Sequence, residues 1–489
     1  MPKISLDTIT VSAMQWRSLR LAAIVIALSI LSPSIYAQQE LRAGNAPAAE
    51  LAALESHSTF PVALPSLPEL FARALENDAD LLRQRYELEA TREEIPMARS
   101  QLMPQVSATG SYLWQDSTNI QTSPDDFGLD QRAQRPGEID ETLWQLQLQQ
   151  PLFSLERWRG VGVANAQVSA AVLQLAVVER DLALQVSEAY VQAYLASLRL
   201  GLLETQQTSL DLQVRQAQRA FDLGIGDRIN LLEAQSRLDQ AISDAVQAEN
   251  ELDNALSTLE RLTGTLPEFH GLAVGELTDI TLQSEWGEQE DWVMQAGRNL
   301  NVLLAGQELR IAEENANVRR AGYYPEINLN LSYSDRQSDD QLRESEDYRA
   351  SIEVSMPIYR GGYTTASVRQ GENRIDANKA AFDNQRNLAM QEVRQRLRSL
   401  KGHVRRIEAV KQAIASSQLF LNAAERGEQF GLRDLVDVLD ARASLYDQRI
   451  QYVDVIGEYA LDSLALQSAV GELESNDLVA TMSLLSSIQ

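Results

Sequence analysis

Asp437 and Asp440 stand three residues apart, so on a helix their carboxylates share one face. Acids in the first turns of a helix complement its macrodipole, and taken alone this pair asks for no more than a solvated surface. Arg433 precedes Asp437 by four residues and is surrounded in sequence by further acids. Nothing else in the chain assembles into reactive chemistry. His57, His270 and His403 are scattered and lack the spacing of metal ligands. With no cysteine, thiolate catalysis, thiolate metal sites, disulfides and a lipidated N-terminal cysteine are all excluded. Gly224, Gly226 and Gly431 are not arranged as phosphate loops; they suit tight reversals between antiparallel helices. The run Arg394, Arg396, Arg398, Lys401, Arg405 and Arg406 lies in a Glu- and Gln-rich helical stretch. It reads as a solvated face laced with helix salt bridges. No nucleophile–base arrangement and no nucleotide site are present, so the chain reads as a non-enzyme with no cofactor.

The elements that must carry these residues are of two kinds. Residues 142–151 alternate Trp144, Leu146 and Leu148 with Gln145, Gln147 and Gln149, and 327–334 alternate Ile327, Leu329, Leu331 and Tyr333 with Asn and Ser. Residues 348–356 repeat the pattern from Tyr348 to Met356, and 106–114 show it more weakly. A greasy face and a polar face on each strand fit a barrel with lipid outside and water inside. Four strands cannot close a barrel, and an open edge is not tolerated in lipid, so the chain is expected to oligomerise. Between the strands lie helical runs over 155–223 and 361–430. In the first, Val168, Val172, Leu175, Val178, Leu182, Val186, Ala189 and Ala193 step by three or four. Each run reaches roughly 100 Å, a length that requires a helical tube or coiled coil.

The chain is written twice. Proline 104 and proline 325 each precede a Ser-Tyr pair, Ser111-Tyr112 and Ser332-Tyr333, at an offset of 221. Pro151-Leu-Phe matches Pro357-Ile-Tyr at 206, and the Gly224 segment matches the Gly431 segment at 207. The first copy thus carries some 15 extra residues in the loop 115–141. Pro104, Pro151, Pro325 and Pro357 mark the strand–helix junctions. In each copy a long helix descends and one of half its length returns, with another half-length helix (67–103 in the first copy) stacked above. The expected division is a signal peptide at 1–37, an N-terminal extension at 38–66, a first repeat at 67–264, an equatorial linker at 265–290, a second repeat at 291–472 and a tail at 473–489. The leader rests on Lys3, Arg17 and Arg20 ahead of an apolar stretch at 21–31 and Ala37 as cleavage residue. No later segment is expected to approach the roughly 20 apolar residues of a spanning helix. The formal net charge of −26 argues against nucleic acid and accords with a water-filled interior that repels anions.

Pro151-Leu-Phe-Ser-Leu-Glu-Arg-Trp-Arg, Pro357-Ile-Tyr-Arg-Gly-Gly and, most specifically, Phe430-Gly-Leu-Arg-Asp-Leu-Val-Asp-Val-Leu-Asp-Ala resemble the TolC family of outer-membrane export channels over about residues 67–473. The resemblance implies a homotrimer with a twelve-stranded barrel in outer-membrane lipid and a long α-helical periplasmic tunnel. It implies a Gram-negative outer-membrane location and an exit duct for tripartite efflux or type I protein secretion. Its implied partners are a periplasmic adaptor and an inner-membrane ABC or RND transporter. It further implies that Asp437 and Asp440 point into the tunnel tip as acidic rings, a constriction that hinders anions and takes multivalent cations. Arg433 matches the arginine that latches the tip shut, with partners at the positions of Ile229 and Asn230. Here Asn230 replaces the usual carboxylate, leaving Asp227, Glu233 or Glu428 as other partners for Arg433. A pore-less periplasmic coiled coil would explain the helices but not the strands, and a nutrient porin the strands but not the helices.

Overall fold

The alternating residues of the four strands all fall on matching faces once the strands pair. In the computed structural model, which describes residues 65–116, 138–267, 285–339 and 343–488 with four single positions between 268 and 284, β1 (Gln105–Asp116), β2 (Glu138–Ser154), β3 (Glu326–Ser338) and β4 (Ser345–Ser355) form one antiparallel sheet in that order. All described residues belong to one structural unit, His57–Gln489. The signal-peptide expectation, His57, His270 and most of the linker lie outside the described residues. Ala108, Leu146 and Tyr333 are cross-strand neighbours, as are Val106, Leu148 and Leu331, and Tyr333 in turn faces Tyr348. Gln145, Gln147, Asn330 and Ser334 occupy the other face. Trp144, Tyr112, Ile352 and Val354 are exposed apolar side chains in the single chain, as expected for a sheet whose apolar face is solvated by lipid.

The helices are α1 (Leu67–Asn77), α2 (Ala79–Arg92), α3 (Glu94–Ser100), α4 (Leu155–Asp222), α5 (Arg228–Thr263), α6 (Gln289–Gln295), α7 (Leu300–Ala321), α8 (Tyr363–Gln429), α9 (Leu435–Val470) and α10 (Ser475–Ser486). The 68 residues of α4 and the 67 of α8 run without interruption, each about 100 Å at 1.5 Å per residue. Away from the sheet the packing order is α5, α4, α9, α8; near the sheet it is α1–α3, α4, α7, α8. The helices therefore form a layer continuous with the sheet. One free edge carries β1, α1–α3 and α5, and the other carries β4 and α8. At mid-height the layer thickens into a core of Leu67, Leu70, Tyr190, Tyr194, Leu198, Leu259, Tyr452 and Leu485. There the buried Tyr194 hydroxyl donates to the carbonyl of Leu485 at 2.7 Å, satisfying the one polar atom of a large apolar side chain.

Several expectations need correction. The stretch 67–103 is three helices, not one. Asp78 adopts an extended conformation and caps α2 by accepting from the Leu81 N–H at 2.8 Å. Pro96, lacking an N–H, cannot bond back across the second break at Glu93. Pro151 is not at the end of its strand: β2 continues to Ser154 past an irregularity in register at Pro151–Phe153, and the Ser154 side chain caps α4. Pro104 and Pro325 lie immediately before β1 and β3, and Pro357 lies two residues beyond β4. Finally, α4 is long and apolar enough to cross a membrane by length and composition, and few residues of that stretch are buried in the single chain. Between 161 and 178 it has no charged residue.

Candidate functional site at the helical reversals

Two glycine-dependent reversals bring Arg433, Asp437 and Asp440 together with Asn230 at the end of the molecule farthest from the sheet. After α4, Gly224 takes φ +73°, a left-handed conformation that side chains other than glycine's resist. The amides of Ile225 and Gly226 both donate to the carbonyl of Ala220, at 3.0 and 2.9 Å. Gly226 then passes so close to α4 that a Cβ there would lie 2.8 Å from that of Ala220. Asp227 caps α5 by accepting from the Ile229 amide at 3.2 Å. The second reversal repeats the design. Gly431 has φ +69°, and the amides of Leu432 and Arg433 donate to the Gly427 carbonyl. Gly427 was not legible as important in the sequence; a Cβ there would lie 3.0 Å from Cγ of Arg433. The two reversals are held side by side by a small buried cluster of Leu210, Ala234, Ala241 and Leu439.

The charges at this end pair in a pattern that spacing reveals only in part. Arg433 reaches Asp437 within its own helix region, 3.5 Å from Nη1 to Oδ2, and its guanidinium lies over the Phe420 ring at 5.4 Å. Within one chain it meets none of Asn230, Asp227, Glu233 or Glu428. The Asn230 side chain makes no hydrogen bond among the described residues. Asp440 is taken by Arg237 of α5, 2.6 Å from Nη2 to Oδ1, and Arg237 also holds Glu233 at 3.0 Å. Arg237 was missed because its partner lies 203 positions away. These groups are 34–56 % exposed, so each pair is worth about 1 kcal/mol or less. Glu233, Asp434, Asp437 and Asp440 outnumber Arg237 and Arg433, leaving the end negative.

Two turns further along α9 from Asp440, burial pushes the Asp447 carboxyl up, the like charge of Asp244 adds to this, and Arg237 opposes it. A raised folded-state pKa means that the neutral acid is favoured by folding. Its stabilisation is complete at acid pH and is lost as pH rises through the folded value. Asp447→Asn should therefore raise the melting temperature at pH 7.5 by a degree or so, with the gain vanishing below about pH 4. Equal gains at both pH values would count against this origin.

Elsewhere, His403 presents Nε2 to Asp462 at 2.9 Å and Nδ1 to Glu458 at 3.5 Å, tying α8 to α9. The basic run around it is largely exposed, as expected, but holds a single salt bridge within its own helix, Arg396–Glu392 at 4.0 Å, among the described residues. Arg396 and Arg406 pair across to Asp462 and Glu458, whereas Arg394, Arg398 and Lys401 meet no acid among the described residues. No group of His, Asp and Glu among the described residues could hold a metal ion.

This architecture has close counterparts. The family model described as outer membrane efflux protein matches residues 70–265 and 294–472. Outer membrane protein TolC of Vibrio cholerae is 27% identical over 421 residues, spanning 85% of this chain and 92% of that protein. The alkaline protease secretion protein AprF of Pseudomonas aeruginosa is 26% identical, spanning 83% and 84%. The crystal structure of the outer membrane protein VceC of Vibrio cholerae superposes with a TM-score of 0.69 at 17% identity, over 83% of this chain and 96% of that one. The sheet with one apolar face, the paired 100 Å-class helices and the match over both repeats lead to one conclusion: the chain belongs to the outer membrane efflux protein family and is an outer-membrane exit duct with a periplasmic tunnel.

Proposed function

We propose that three copies of the chain close a twelve-stranded barrel above a helical tunnel, and that this duct carries solutes or unfolded polypeptide outward without an energy source of its own. The observation that carries the reading is the open layer: β1 and β4 have no strand partner on their outer sides among the described residues. An unpaired strand edge in lipid costs several kcal/mol for each unsatisfied backbone group. Different edges of the layer meeting head to tail around an axis would remove both edges at once. The two sequence copies act as repeats with bounds at 67–264 and 291–472, joined by 265–290. An inner-membrane ABC or RND transporter supplies the energy and selects the cargo, and a periplasmic adaptor joins it to the duct. Mass measurement of the detergent-extracted outer-membrane complex, with single-channel conductance, tests the ring. A monomer without conductance would refute it.

The blunt end formed by the reversals is the proposed adaptor-docking end. Leu223, Ile225, Phe430 and Leu432 are each at least 75% exposed there, the kind of apolar patch that a partner helical hairpin covers. Cysteines placed at 223–230 and 430–436 should crosslink to the adaptor in cells, in a chain with no cysteine of its own. Crosslinks confined to the mid-height segment 265–291 would instead place the contact on the side.

A further inference from the structure

We propose that neighbouring copies meet along an ion-pair seam, in which the basic row Arg394, Arg398, Lys401 and Arg405 on α8 faces the acidic row Glu249, Asp253 and Glu260 on α5 of the next copy. The inference rests on the ring reading above and names the residues that register one copy against the next. Steps of three and four put the basic row on one side of α8, about a quarter turn from the buried Val393, Leu397 and Leu400. The opposite side of α8 is occupied by α9 through Arg396–Asp462 and Arg406–Glu458. The basic row therefore points away from the rest of its own chain. All four cations are exposed, none meets a carboxylate among the described residues, and Arg405 bonds only the carbonyl of Lys401. In a chain of net charge −26 such a row stands out.

On α5 the acidic row occupies the corresponding place. Glu249, Asp253 and Glu260 lie about a quarter turn from the buried Ala248, Ala255 and Leu259, and α4 is held on the other side by Arg199–Glu251. All three acids are exposed and meet no cation among the described residues. The row continues as two exposed aliphatic side chains, Ile242 and Val246, which an interface would cover.

The internal duplication supplies the register. At the offset of 207, α4 and α5 correspond to α8 and α9, and Arg199–Glu251 recurs as Arg406–Glu458. Within the chain, α4 packs on α9; the equivalent contact between copies is α8 on α5. The positions of α4 equivalent to the basic row are Ser187, Val191, Tyr194 and Leu198, all buried. Val191, Tyr194 and Leu198 share one core with Val453 and Ile456 of α9, whose equivalents on α5 are Val246 and Glu249. The same two rows are thus uncharged and largely covered inside the chain, but oppositely charged and uncovered at its two edges. Opposite signs on different edges favour head-to-tail association and disfavour either edge meeting its own copy. The contact Arg199–Asp454 carried by the same offset sets residue 406 beside residue 247. That register places Arg405 by Glu249, Lys401 by Asp253 and Arg394 by Glu260.

The test uses the full chain in the outer membrane and in detergent. A chain bearing both Asp253→Cys and Lys401→Cys should give intersubunit products with a short bis-maleimide, up to the closed ring. Arg398→Glu with Lys401→Glu should weaken association on dilution by roughly tenfold. The glutamine versions at the same positions, which bring no repulsion, should weaken it less. Adding Glu249→Arg and Asp253→Arg to the reversed chain should restore assembly, a rescue that a misfolded variant would not show. An intact wild-type oligomer with no 253–401 product and no response to reversal overturns the seam while leaving the ring standing. A monomeric wild type overturns both.

Discussion

Replacing Asp437 and Asp440 together by alanine should abolish tight block of the pore by di- and trivalent cations applied from the periplasmic side. The two carboxylates sit near the start of α9 at the end of the molecule where both reversals meet, and a ring would repeat them around its axis. Each is held in one chain by an arginine, Asp437 by Arg433 and Asp440 by Arg237. Both contacts are solvent-exposed, so neither neutralises its carboxylate toward a multivalent ion that meets several copies at once. Losing even two charge-assisted contacts of about 1.5 kcal/mol each weakens binding at least a hundredfold. The test is planar-bilayer conductance titrated with a trivalent cation, wild type against double variant. Neither aspartate is the N-cap of α9 and neither is buried, so assembly should survive. Unchanged cation affinity in an assembled double variant would remove these residues from the constriction.

Arg433→Ser should raise resting conductance and sensitise cells to large antibiotics that the closed duct excludes. The arginine does three things at once in this structure. Its amide closes the reversal onto the Gly427 carbonyl, its guanidinium pairs with Asp437, and its flat face lies over Phe420. Serine keeps the amide and removes the other two, so the turn should hold while α8 and α9 lose a tie. Cation–π and exposed ion-pair contacts are each worth about 0.5–1 kcal/mol. Repeated three times around a ring they sum to about 3–6 kcal/mol, enough to move a closed–open balance by two orders of magnitude or more. Phe420→Ala should reproduce part of the effect. Wild-type conductance in Arg433→Ser, with open pores in Glu233 or Glu428 variants, would show a latch that does not use this arginine.

These two predictions differ in how much of them could be read from the chain alone. The strands, the two long helices and the reversals were legible because each depends on local pattern. Alternation sets a strand's two faces, steps of three and four set a helix's buried row, and glycine supplies the positive φ of Gly224 and Gly431. The duplication was equally legible, since a repeat is a property of the string. Local pattern also misled. The stretch 67–103 reads as one helix until the extended backbone at Asp78 and the missing N–H of Pro96 divide it. The bulge past Pro151 likewise lengthens β2 beyond its proline.

What the tertiary structure alone decided is which charges meet. Spacing put Asp437 and Asp440 on one face and set Arg433 one turn before Asp437, but only packing could hand Asp440 to Arg237, from a helix 203 residues earlier. His403 looked inert in sequence and is clasped between Asp462 and Glu458. The basic run on α8 looked like an ordinary solvated face, and only the order of helices in the layer shows that Arg396 and Arg406 are turned to α9 and the other four cations to an open edge. The reason is physical. Backbone pattern is set by forces acting over a few residues, whereas an ion pair depends on two side chains reaching within about 4 Å. That distance is fixed by how the helices are ordered and registered, not by the chain's local composition.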